Sequence, residues 1–144
     1  MQKRWLLIAG GVLMILLGVA RGAGGLVLLT RGSAADPDMQ ATGPLVSVIG
    51  LFLLLLGLGL VVSAVGVFRG LRSFWMAGII CTVAFVIDGA INGYVLYGHP
   101  GDRGTAVNVI AAALILTCLL AGKAALRRSA AQRVTAADRP AAGR

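Results

Sequence analysis

Four long apolar runs, separated by short polar connections, leave this chain little choice of fold. The runs are Trp5–Leu29, Leu45–Phe68, Phe74–Leu96 and Ala106–Gly122. A bilayer core about 30 Å thick takes roughly 17–25 residues of helix at 1.5 Å rise each. All four runs fall in that window. Lys123 lengthens the last of them, because its stem lies along apolar surface while its ammonium reaches the headgroups. In lipid every backbone N–H and C=O must be satisfied within the protein, which leaves helices or closed barrels. The runs do not alternate apolar with polar residues, so barrel strands are excluded. The expected fold is an all-α integral membrane four-helix bundle, with spans near 5–30, 44–68, 74–97 and 105–126 and a basic tail at 127–144.

Only 12% of the residues are charged, against 58% hydrophobic. Soluble domains carry about twice that charged share, which argues against a soluble enzyme. The net charge of +8 is not a nucleic-acid signal, because it is segregated by loop. Lys3, Arg4, Arg69, Arg72, Lys123, Arg127, Arg128, Arg133, Arg139 and Arg144 fall on one side, with Asp138 the acid among them. Arg31, Arg103, Asp36, Asp38 and Asp102 fall on the other. Basic residues mark the cytoplasmic side, so both termini are expected inside, in the cell membrane. The expected partners are membrane lipids, with Arg127, Arg128 and Arg133 at the anionic headgroups. Lys3-Arg4 followed by an apolar run resembles a signal peptide. The run resumes beyond Arg21 and reaches Leu29, too long for a signal core, so the first span is expected to be retained.

The connections carry turn and cap residues. Pro44 suits the first turn of helix two, where it removes no needed donor. Arg69–Ser73 makes a tight turn with Ser73 as the expected cap of helix three, and Thr105 is the expected cap of helix four. His99-Pro100-Gly101 is expected to turn between helices three and four. Trp5, Trp75, Tyr94 and Tyr97 lie near span ends, where amphipathic rings favour the interface.

Glycine is abundant, with 21 residues, and its spacing is helical. Gly11, Gly18, Gly22 and Gly25 form one stripe on helix one. Helix two has two small faces: Gly43, Ser47, Gly50 and Gly57 on one, and Gly59, Ser63, Gly66 and Gly70 on the other. Gly78, Gly89 and Gly93 lie along helix three. Small residues let helices approach closely in lipid. Such faces serve a tight bundle, or a partner chain in a homo-oligomer or larger membrane complex.

Two charges lie inside the spans. Arg21 and Asp88 are each about nine residues from the outer ends of helices one and three, which run in the same direction. Both are therefore about 14 Å below the same boundary. An unpaired charge there is costly, so an Arg21–Asp88 ion pair is expected. Asn92 lies one turn above Asp88, and Asn108 starts helix four. With Thr105 and Tyr97 they outline a polar funnel descending to the pair. Arg21, Asp88, Asn92 and Asn108 are the candidate ligand-binding residues, for an anion, a zwitterion or water.

Catalytic chemistry has few candidates. One histidine, no glutamate and two cysteines within spans make no conventional metal site. Cys81 and Cys118 read as packing residues. Neither cofactor nor enzymatic activity is expected. Asp36-Pro37-Asp38 reads as a solvated loop. The first functional expectation is a structural or accessory membrane protein acting through helix contacts. The alternative is a small transporter or channel built on the Arg21–Asp88 cluster.

Overall fold

The computed structural model describes residues 4–99 and 102–137, with side chains at 4–99 and 105–123. Helices α1 (Arg4–Arg31), α2 (Pro44–Phe68), α3 (Arg72–Tyr97) and α4 (Asp102–Ala137) follow one another, with a short 3-10 turn at Gly32–Ala35. All four are long and apolar enough to cross a membrane, and the described residues include no strand. The chain is an all-α bundle and a small polytopic membrane protein.

Each helix packs on two others: α1 on α2 and α4, and α3 on α2 and α4. This leaves α1 opposite α3 across the centre. One end of the bundle carries loop 32–43 and the start of α4, and is called the loop end below. The other, the terminal end, carries the start of α1 and the turn at 69–71.

The α1–α2 contact is made by glycine against glycine. A Cβ on Gly18 would lie 2.7 Å from the Gly57 carbonyl oxygen, and one on Gly25 would lie 2.6 Å from that of Gly50. Gly22 lies against Gly57, and Gly11 lies against the Phe68 ring. The second small face of α2 turns to α3, where Gly59 meets Cys81 and Gly66 meets Phe74. Both small faces of α2 are therefore filled within the chain. Gly43 and Ser47 are exposed and belong to neither contact. Gly43 and Gly70 instead adopt positive φ, at 69° and 72°.

Contacts of α1 with α4 were not visible in the sequence. They rest on Gly10, which faces Cys118, and Gly122, which faces Leu7. Cys81 and Cys118 are both free thiols.

Helix ends depart from expectation in a consistent direction. The structure starts α3 at Arg72, not Ser73, with Leu71 at the cap position and no side-chain cap bond. Likewise α4 starts at Asp102, so Thr105 lies one turn inside it and is not a cap. Polar residues ended the hydropathy signal without ending the helix. The end of α2 is a Schellman motif: Leu71 N–H bonds Gly66 O at 3.0 Å and Gly70 N–H bonds Val67 O at 2.9 Å. Pro100 and Gly101 of the expected outer turn lie outside the described residues. Arg127, Arg128 and Arg133 fall on the helical continuation of α4, and their side chains lie outside the described ones.

Trp75 also departs from expectation. Trp5 and Tyr94 are exposed, as interface rings would be, but Trp75 is buried in the bundle. Its Nε1–H donates to Leu119 O at 2.8 Å. The Lys123 ammonium stands 5.2 Å from the ring centroid. An indole whose N–H finds a partner has no need of the water interface.

The apolar core falls into two parts. One, toward the terminal end, takes residues from all four helices, including Met14, Leu60, Phe85, Ile115 and Leu119. The other, toward the loop end, takes Leu28, Ala41, Val46, Ile49, Leu53 and Leu96. Among the described residues, that second part has none from α4. The first turns of α4 turn Thr105 and Asn108 to this space and leave Val107, Val109 and Ile110 exposed on the outside, so the space stays unfilled.

Candidate functional site: a polar cleft at the loop end

Where α4 contributes no apolar core, the bundle holds a cleft of about 410 Å³. Arg21 and Gly24 of α1 line it, with Gly89, Asn92, Gly93 and Tyr97 of α3, and Thr105 and Asn108 of α4. Val27 and Leu28 of α1, Leu53 of α2, Leu96 of α3 and Ala35, Asp36 and Met39 of loop 32–43 complete the wall, so the polar groups are set in a largely apolar lining.

Its floor is built from opposite helices. Arg21 Nη2 donates to Asp88 Oδ2 at 2.6 Å. Asn92 Nδ2 donates to Asp88 Oδ1 at 2.7 Å. The pairing follows from helix geometry: α1 and α3 run the same way, and Asn92 lies four residues beyond Asp88 on one face. Asp88 is 5% exposed, so both carboxylate oxygens are held by protein donors away from solvent. The Arg21 side chain is 22% exposed and reaches the cleft. Its guanidinium carbon lies 5.1 Å from the Phe85 ring centroid, a cation–π contact that closes the floor from below. One Arg21 group is left over: Nε is buried and has no hydrogen-bond partner.

Asn108 enters the cluster through a glycine. A Cβ on Gly89 would lie 2.6 Å from Asn108 Nδ2 and 3.6 Å from Arg21 Nη2. Gly89 thus makes room for an amide next to the guanidinium. The structure brings all four candidate residues together: Arg21, Asp88 and Asn92 by hydrogen bonds, and Asn108 by this close approach.

Of the rim, the sequence pointed to Thr105 and Tyr97 but not to Asp36. Asp36 is partly exposed and is also tied into the rim. Its Oδ1 accepts from Asp38 N–H at 3.0 Å, and its Oδ2 accepts from Tyr97 O–H at 3.0 Å. The loop is further tied to α3 by Gln40 N–H, which bonds Leu96 O at 2.7 Å. Gly98, at φ 73°, ends α3 against the Gln40 side chain. Gln40 and Tyr97 are far apart in the chain from what they meet, and no local spacing signals either contact. Below the floor, Met14, Phe85, Ile115 and Leu119 are at most 2% exposed and seal the bundle. The Met14 side chain lies against Gly78 across the bundle centre.

Among the described residues, no three His, Cys, Asp or Glu side chains converge as metal ligands would. The cleft offers a half-buried cation, two amides, two hydroxyls and one rim carboxylate, which are binding groups. No family model matches the chain, and neither does any curated protein or solved structure. The fold and cleft therefore define the class alone: a small polytopic membrane protein with a polar cleft inside its bundle.

Proposed function

We propose that the chain takes up a small polar solute in this cleft from the outer side of the membrane, as the binding step of a small transporter or channel. The observation that carries the reading is the Arg21 guanidinium. It stands at the floor of an open cleft, held by Asp88, with its Nε–H buried and unpartnered. An ion pair serving only packing gains nothing from a cleft beside it. Intramembrane charges that face a cavity characteristically mark solute pathways. The seal below the floor corresponds to a state open on one side. The charge asymmetry of the loops supports that side being the outer one.

Thermal unfolding of the purified chain tests the proposal, measured with a panel of acetate, ethylammonium, urea, glycine and 5-aminopentanoate. At least one solute is expected to raise the melting temperature of the wild type. The gain should vanish in the Arg21→Leu/Asp88→Leu double variant, which replaces the pair by apolar groups and keeps the fold. No shift with any solute, or a shift kept by the double variant, counts against the proposal.

The accessory reading draws little support from the glycine faces, because Gly50 and Gly57 of α2 are covered by α1, and Gly59 and Gly66 by α3. Its own test is the native mass after gentle extraction. A stoichiometric larger partner favours an accessory role, and a monomer or homo-oligomer favours solute binding.

A further inference from the structure

The two charged residues lining the cleft among the described ones have opposite signs and opposite places: Arg21 at the floor and Asp36 at the rim. We infer that the cleft is built for a zwitterion of the ω-amino-acid type, anionic end down on Arg21 and ammonium end up on Asp36. This rests on the proposed solute-binding role and names its ligand class.

The argument is one of charge balance. Asp88 already neutralises Arg21, so the floor carries a directional donor without net charge. A free anion entering the cleft loses hydration, gains no net countercharge and passes the Asp36 carboxylate. A free cation is drawn to Asp36 but meets the guanidinium below. A zwitterion is neutral as a whole and satisfies both ends. Asp36 has the capacity: each carboxylate oxygen accepts one described hydrogen bond and has a further lone pair. No described cation lies within ion-pair distance of it.

Distance selects within the class. Nine residues separate Asp88 from Tyr97, the partner of Asp36. That is about 14 Å of helix rise. Arg21 is held at the depth of Asp88, and Asp36 meets the hydroxyl of Tyr97. A ligand that reaches from one depth to the other carries its charges several bonds apart, which an α-amino acid does not allow. A free ω-amino acid meets this requirement. So does the phosphoethanolamine headgroup of a lipid, whose phosphate and ammonium are also separated by several bonds.

Calorimetric titration of the full chain in phosphatidylglycerol nanodiscs tests the inference. The probes are 5-aminopentanoate, pentanoate and pentylammonium, which share one carbon chain. The zwitterion is expected to bind about tenfold tighter than either singly charged analogue, the scale of one charge-assisted hydrogen bond. Asp36→Asn should bring it level with pentanoate. Asp38→Asn removes an exposed loop carboxylate outside the cleft lining and should keep the preference, which also controls for loop folding. If pentanoate binds as tightly as the zwitterion, the cleft still binds solutes and the inference fails. If Asp36→Asn keeps the preference, the inference fails too. If none of the three binds, the inference fails, and the proposed role falls with it only if acetate, ethylammonium, urea and glycine also leave the melting temperature unchanged. Discs containing phosphatidylethanolamine separate the sources. Loss of 5-aminopentanoate binding there identifies the headgroup as an occupant of the same chemistry, and unchanged binding assigns the site to a free zwitterion.

Discussion

Arg21 and Asp88 each stand where a lone charge is expensive, and each makes the other affordable. Asp88→Leu alone leaves Arg21 buried against Phe85 without a counterion. The expected loss is about 3 kcal/mol of stability, the low end for breaking a buried pair, because Arg21 keeps some exposure. The double variant with Arg21→Leu should recover most of that loss, and chemical unfolding in detergent measures both. Trp75→Phe removes the donor to Leu119 O and should cost about 1 kcal/mol in the same assay. The ion pair was legible in the sequence because it needs only residue counting along two helices of the same direction. Asp36, Phe85 and the burial of Trp75 were not legible. Each depends on which helices are neighbours and how they are rotated, and a hydropathy pattern carries neither.

At the scale of elements, the glycines distinguish packed faces from open ones. Gly57→Ala puts a Cβ 2.5 Å from the Gly18 carbonyl oxygen, a backbone atom that cannot move aside cheaply. The expected cost is about 1–3 kcal/mol, the range for overpacking a filled interface. Gly24→Ala meets nothing within 4 Å. It should be neutral or slightly stabilising, by up to about 1 kcal/mol from helix propensity. Thermal unfolding of the two variants side by side checks the contrast. The four spans and the α1 stripe were readable because lipid imposes length and composition on a helix. The helix starts at Arg72 and Asp102 were not, since charged residues continue a helix while ending its apolar run. The doubled glycine face of α2 was readable as spacing, but not as an internal contact: the same pattern serves a partner chain equally well, and only the packed neighbours decide.

For the whole molecule, the decisive asymmetry is between the two ends. The terminal end is packed by side chains from all four helices. At the loop end α4 turns Thr105 and Asn108 inward, and among the described residues the core there is built without it. That difference makes the cleft and closes it below. The account holds that water and small solutes reach the residues of this cleft from the outer side alone. Thr105→Cys and Asn108→Cys, placed in a background with Cys81→Ala and Cys118→Ala, test this in sealed right-side-out vesicles with a membrane-impermeant thiol reagent. Both cysteines should react with reagent added outside and not with reagent confined inside, while Ile115→Cys, beneath the seal, reacts with neither. Failure of Thr105→Cys and Asn108→Cys to react from outside, or their reaction from inside, would contradict the account.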